Sequence, residues 1–380
     1  KARLTLNDIK IAGGLASLAG TLDKGRWLIK LDARNVKGER LLKLLNPDNI
    51  DLTGGKVSIR GSASGMEADL KKLNFIVSTK ELTVQTSDEL YAGEGVKANL
   101  EVDVSKIKGG WQWDSRLAFN EGAVYADPIF IEAADQAITL KTKGRWRQKD
   151  NRLDLKTVSL NHPGIGSVNG WIQFVKAEKM FLDNAKLSFK TDDFQAMTSV
   201  YLQPFLEATA MEGIGFSGKL EGRFEYVQQT LTEFGLTFSK LEMTDNASRF
   251  MLKEGSGVVN WSNRKEKNSQ SRVAWNQLEV FNLPFGQADV SLTTDAGSIR
   301  LNRAVNISAL GGNIHIKRFD WRTNEGQEPD VHFEGAVQNV SLGNLSRALD
   351  WKPLTGSITG NIPGVTYQRG RLEINGELEA

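Results

Sequence analysis

Cysteine is absent from this 380-residue chain, proline occurs 8 times and histidine 3 times. Without cysteine there are no disulfides, no thiolate metal sites and no cysteine nucleophiles. That absence is compatible with the cytosol and with an oxidising compartment alike. His162, His315 and His332 stand singly, with no second histidine or paired carboxylate at helix or hairpin spacing, so no metal site is expected. His162 precedes Pro163 and Gly164 and reads as a turn residue; His315, between Ile314 and Ile316, reads as a residue of a wet strand face.

Long apolar runs are missing too. No stretch approaches the ~18 residues of a membrane-spanning helix, and the opening KARLTLNDIKIAGG lacks the features of a signal peptide. Lys1 stands where an initiator methionine would, so the sequence is expected to be a piece of a longer chain, with any anchor upstream. Charge of one sign is not in excess: 48 basic against 46 acidic residues give a net charge of +2, and nothing general points to nucleic acid. Lysine and arginine occur singly, in no run long enough to track phosphates. GIGFSG and GIGSVNG lack the lysine and following helix of a phosphate loop, and GFSGK lacks the strand-to-helix elbow of a serine hydrolase. No acid, base and nucleophile converge, so an enzyme is not expected.

What is present is alternation. Trp27, Ile29, Leu31 and Ala33 share a face, as do Leu73, Phe75 and Val77; Val96, Ala98, Leu100, Val102 and Val104; Trp111, Trp113, Leu117 and Phe119; and Ile314 and Ile316. Turn signals such as KGG, QKDN and TNEG separate the runs at a spacing that fits antiparallel hairpins and leaves no room for crossover helices. The 37 glycines favour tight turns. Three segments read as helix, at 38–46, 193–211 and 342–351, each containing or preceding a proline and each followed by glycine-punctuated strand. This loose repeat marks modules 1–190, 191–337 and 338–380 within one continuous chain.

At about 12 residues per strand and turn, the chain holds roughly 28 strands, and at ~4.8 Å per strand the sheet is on the order of 130 Å long. A sheet of that size does not stay flat. The expected fold is all-β with a few short helices: an elongated, twisted, mostly antiparallel sheet curled into an open hydrophobic groove. Glycines 356, 360 and 376, in phase with Leu354, Ile358, Ile362, Leu372, Ile374 and Leu378, permit either a sharp bend or the close approach of a second sheet. Nine tryptophans fit the rim of a greasy groove or ordinary core filling. The expected groove lining is Val57, Ile59, Leu73, Phe75, Val77, Val96, Leu100, Val102, Ile314, Ile316, Ile358, Leu372 and Ile374. Arg371, Leu372, Glu373, Ile374 and Leu378 are expected to form an edge strand open to a partner or to further strands.

Three stretches carry a resemblance: EGAVYADPIFIEAADQAITLKTKGRW (121–146), LPFGQADVSLTTDAGSIRLNRAVNISALGGNIHI (283–316) and LTGSITGNIPGVTYQRGRLEINGELEA (354–380). They resemble the YdbH-like branch of the AsmA-like family of Gram-negative envelope proteins, which includes TamB and YhdP. The resemblance implies a β-groove in the periplasm, anchored in the inner membrane, along which phospholipid passes between the membranes. It also implies a YnbE-like outer-membrane lipoprotein and a YdbL-like periplasmic protein as partners; no cofactor is expected. The other readings are a TamB-like structural or chaperone-like scaffold in outer-membrane biogenesis, and a surface adhesin, for which the asparagine ladders and short repeat are missing.

Overall fold

The computed structural model describes residues 1–45, 49–133, 135–177, 180–207, 209, 211–264, 268–295, 297–322, 330–368 and 371–379. These residues form an all-β fold with short helices, and every strand pairing is antiparallel. The chain divides into two compact units, Lys1–Leu187 with Ser199–Pro204, and Ser188–Thr198 with Phe205–Ala380. The stretch 338–380 lies within the second unit.

The first unit holds β1 (Ala2–Ile11), β2 (Gly14–Asp23), β3 (Arg26–Lys37), α1 (Gly38–Leu45), β4 (Ile50–Met66), β5 (Asp69–Thr86), β6 (Tyr91–Ile107), β7 (Gly110–Ala126), β8 (Ile129–Ala133), β9 (Ile138–Arg147), β10 (Arg152–His162) and β11 (Gly166–Lys176). Each strand pairs with the next up to β7, as hairpins except where α1 intervenes between β3 and β4, and β7 pairs with β9 along its first half and with the short β8 along its second. β9, β10 and β11 then continue the meander. Short polar or glycine turns suffice for such connections, which is why no crossover helix is needed.

β12 (Met180–Thr191) leads to α2 (Phe194–Met197), one π-helical turn (Thr198–Leu202) and α3 (Gln203–Leu206). A single helix at 193–211 is expected from amphipathicity; the helix breaks because Pro204 has no N–H to donate, and the backbone before it widens into the π turn. Asp193 caps α2 by accepting the Ala196 N–H at 3.0 Å.

The second unit holds β13 (Ile214–Val227), β14 (Thr230–Asp245), β15 (Phe250–Ser262), β16 (Ser269–Trp275), β17 (Gln277–Val280), β18 (Leu283–Phe285), β19 (Ala288–Asp295), β20 (Ser298–Leu301), β21 (Val305–Ala309), β22 (Gly312–Arg322), β23 (Asp330–Ser341), α4 (Leu342–Ala348), β24 (Ser357–Gln368) and β25 (Arg371–Glu379). β15 pairs with both β16 and β17, and the two branches rejoin at β22 through β19 and β20 on one side and β18 and β21 on the other. A buried cluster of Ala288, Val305 and Ile307 fills the branch point. Leu354 lies outside the strand expected to contain it: Gly356, at φ +106°, turns the chain just before β24, and the Leu354 N–H is donated to Ser346 Oγ at 3.3 Å.

The β14–β15 turn is held by one carboxylate. Asp245, almost wholly buried, accepts the Arg249 guanidinium through Nε and Nη2 and the backbone N–H groups of Ala247 and Arg249, while Arg249 Nη2 also donates to the Glu212 carbonyl at 3.1 Å. The Arg249 hydrogen bonds, outweighing burial, hold the Asp245 carboxyl at about 2. A depressed folded-state value means that this stabilisation is complete above the ordinary carboxylate range near 4 and is lost as pH falls through about 2. In urea titrations Asp245→Asn is therefore expected to be less stable than the parent near neutrality, with the two curves converging between pH 4 and 2. Curves that stay parallel through that window would remove Asp245 from the account.

Candidate functional site

The strand register of the first unit assembles the alternating residues into rows that cross the strands. One row runs Ile9, Ala16, Ala33, Ile59, Val77, Leu100, Leu117, Leu140, Leu160 and Val168. The next runs Leu6, Leu18, Leu31, Gly61, Phe75, Val102, Ser115, Thr142, Val158 and Gly170. A third includes Leu4, Ile29, Ala63, Leu73, Val104, Trp113, Leu155 and Ile172. Ser115 and Thr142 are the only hydroxyls in the first two rows, and they bond each other at 2.7 Å. That pairing removes most of the cost of placing them among apolar groups.

These rows are not sealed. In these rows only Ala33 and Gly144, which bridges Trp113 and Leu155, are buried; Leu4, Leu6, Ile9, Ile29 and Leu31 are exposed and the rest are half-buried. A second layer packed over the face would drive side chains such as Phe75 and Leu100 to full burial. The opposite face is polar: Asp32, Arg60, Glu101, Arg116 and Lys141 form a row across it, interrupted at Ile76.

A line of strand irregularities crosses the same strands. Asp8 in β1, Asn35 in β3, Gly55 in β4, Glu81 in β5, Gly95 in β6 and Gly122 in β7 all have positive φ, at or beside breaks in register. Two of these backbones are tied across: Asp8 N–H donates to Ser17 Oγ at 3.2 Å and Asn35 N–H to Ser58 Oγ at 3.0 Å. A bulge bends its own strand and raises the local twist, so bulges in register crease the sheet along a line. Beyond that line Val36 and Val57 are buried beside α1, and Val96 packs on the buried group of Phe119, Ala133 and Ile138.

The expected lining residues therefore divide. Ile59, Leu73, Phe75, Val77, Leu100 and Val102 belong to the half-buried rows, whereas Val57 is core and Val96 borders it. In the second unit Ile314 pairs with Ile307 and Val337, and Ile316 with Val305 and Gly335, packing on the buried cluster at the branch point. Ile358 stands opposite the buried Val340. The register sets Leu372 opposite Tyr367, Ile374 opposite Val365 and Leu378 opposite Gly360, but these three side chains lie outside the described residues. On the other edge of β25, the strand of Arg371 and Glu373, no strand pairs among the described residues.

Glycines on the apolar face make room for rings. A Cβ on Gly144 would meet the Trp113 ring at 2.3 Å, and one on Gly65 the Trp27 ring at 2.4 Å. The Trp113 N–H donates to Thr142 Oγ1 at 3.1 Å and the Trp27 N–H to the Glu67 carbonyl at 2.9 Å. Trp27, Trp111 and Trp146, the last two paired, stand one or two residues from the turns at 24–25, 108–109 and 148–151, on one margin of the unit. Half-buried indole rings, apolar on one side and wet on the other, suit that margin.

The chain matches no family model, no curated protein and no solved structure. The histidines hold no metal-like group: no cluster of three or more ligating side chains occurs among the described residues. His162 is buried, which pushes its pKa down, and its Nδ1 lies 2.8 Å from the Tyr201 hydroxyl. His332 Nε2 lies 2.8 Å from Glu334.

Sequence reading missed one feature. Lys141, Lys143, Arg145 and Arg147 alternate along β9 and so share the polar face, although no two are adjacent in the chain. The signal was period two in KTKGRWR, hidden from any search for basic runs.

Proposed function

We propose that the chain shelters phospholipid acyl chains against its apolar rows and passes them between the inner and outer membranes, as a periplasmic part of an inner-membrane-anchored envelope protein. The observation that carries this reading is the set of three cross-strand apolar rows, ten strands wide, whose described side chains are nearly all half-buried or exposed. Exposing a lipid tail to water costs about 0.8 kcal/mol per CH₂, so two acyl chains cross an aqueous gap only when shielded throughout. Rows of Leu, Val, Ile and Phe at strand spacing offer that shielding, and a bend toward this face along the line of bulges would make it the inside of a trough. The headgroup stays in water at the open side, so the reading requires no headgroup pocket and no catalysis.

The chain purified from cells under mild conditions is expected to carry phospholipid detectable by mass spectrometry. A lipid-free preparation that also fails to take up lipid from vesicles would end this reading. One that carried bound polypeptide instead would favour a chaperone-like holder of extended segments.

A further inference from the structure

We propose that the polar face of the first unit carries a phosphate-binding site, formed by Lys72, Arg145 and Lys156 with the Gln112 amide, on the side of the sheet opposite the apolar rows. These side chains line one cavity of about 500 Å³ together with Ser105, Trp113 and Gly144, and the Gln112 amide, which donates one N–H to Ser105 Oγ at 3.0 Å, keeps its second N–H. The register explains how they meet. Lys72, Ser105, Gln112 and Arg145 lie in one row across β5, β6, β7 and β9. Lys156 joins them through a bulge: Leu155 pairs with Gly144 and Thr157 with Lys143, leaving Lys156 as the extra residue. A bulge of this kind puts two consecutive side chains on one face. It thus adds a cation to the polar side while Leu155 and Val158 keep their places in the apolar rows.

The ion pairing around the cavity is uneven. Lys143 is paired with Asp114 at 2.7 Å, Lys106 with Asp69, Arg147 with Asp154 at 3.0 Å and Arg152 with Asp154 at 3.2 Å. Among the described residues Lys72, Arg145 and Lys156 are in no ion pair, so three like charges line the cavity without being neutralised pairwise. Asp154, the cross-strand neighbour of Arg145, is committed elsewhere: burial opposes its charge, but Gln173, Arg147 and Arg152 hold its pKa down. Asp103, at the same cavity, is in no ion pair among the described residues, and it opposes an anion. The alternating cations of β9 extend the positive field along the strand. An arginine fork, two ammonium groups and an amide donor are the chemistry that recognises a phosphate oxygen set.

The test uses inorganic pyrophosphate as probe, followed by calorimetry on the whole chain. Saturable binding is expected at low salt, weakened at least about tenfold by Arg145→Ala combined with Lys156→Ala, and weakened steadily by added NaCl. Asp103→Asn is expected to tighten it, an effect that a merely structural role would not give. Far-UV circular dichroism of each variant checks that the exposed substitutions leave the sheet intact. Two sources of phosphate are separated by vesicles: sedimentation with phosphatidylglycerol but not phosphatidylcholine vesicles, reversed by pyrophosphate, identifies a lipid headgroup. Pyrophosphate binding without sedimentation identifies a free phosphate compound. No saturable binding, or binding untouched by the double substitution, overturns the proposal. Leu100→Asp, on the opposite face, should leave pyrophosphate binding unchanged, so failure here is distinct from failure of the lipid reading.

Discussion

Leu100→Asp is expected to strip the chain of bound phospholipid, lowering the amount that co-purifies by at least about tenfold, while Asn99→Asp, one residue away on the polar face, leaves it unchanged. The reason lies in the row. Leu100 is flanked across the strands by Val77 and Leu117 and along its own strand by Ala98 and Val102. An acyl chain lying over the row would seal an aspartate there away from water, and an unpaired buried carboxylate costs several kcal/mol or must take up a proton. A tenfold loss needs only about 1.4 kcal/mol of that penalty. Without lipid, the same aspartate can still reach solvent, because Leu100 is half-buried. The variant should therefore fold, with a parent-like circular dichroism spectrum. Retention of lipid at the parent level would show that acyl chains do not lie on this face.

Ile316→Asp would make a poorer experiment. Ile316 packs on Val305 in the buried cluster of the second unit, so a charge there would disrupt folding before it informed on lipid. The contrast shows where sequence stops being informative. Period two identified both residues as apolar-facing, and the strands, their antiparallel pairing and the three helical segments follow from alternation, turn residues and prolines. Alternation does not say whether a face is covered. That depends on which strands become neighbours, and a branch such as β15 pairing with both β16 and β17 has no local signature. Val57 and Phe75 carry the same pattern, yet one is core beside α1 and the other half-open. Positive φ at Asp8, Asn35 and Glu81 was equally hidden, since a bulge in a long strand is set by the neighbour's register as much as by its own residues.

Gly122→Val is expected to damage the first unit severely, lowering its stability by on the order of 2–4 kcal/mol in urea unfolding or preventing folding altogether. Gly122 has φ +101°, and a Cβ there would lie 2.6 Å from the carbonyl oxygens of both Glu94 and Gly95. Neither obstacle can yield cheaply, because both oxygens belong to the backbone of the adjacent strand at the crease. Gly109→Ala separates the two contributions. Gly109 also has positive φ, +83°, but a Cβ on it meets nothing within 4 Å, so its alanine variant should lose only the conformational penalty of about 1 kcal/mol. Gly122→Ala should exceed that figure clearly, with valine worse still. If the two alanine variants were equally mild, close approach at Gly122 would not matter, and the aligned bulges would be an accident of long strands. If Gly122→Ala is the costlier and also releases bound lipid while Gly109→Ala does not, the crease is what shapes the apolar rows into a surface that can hold an acyl chain.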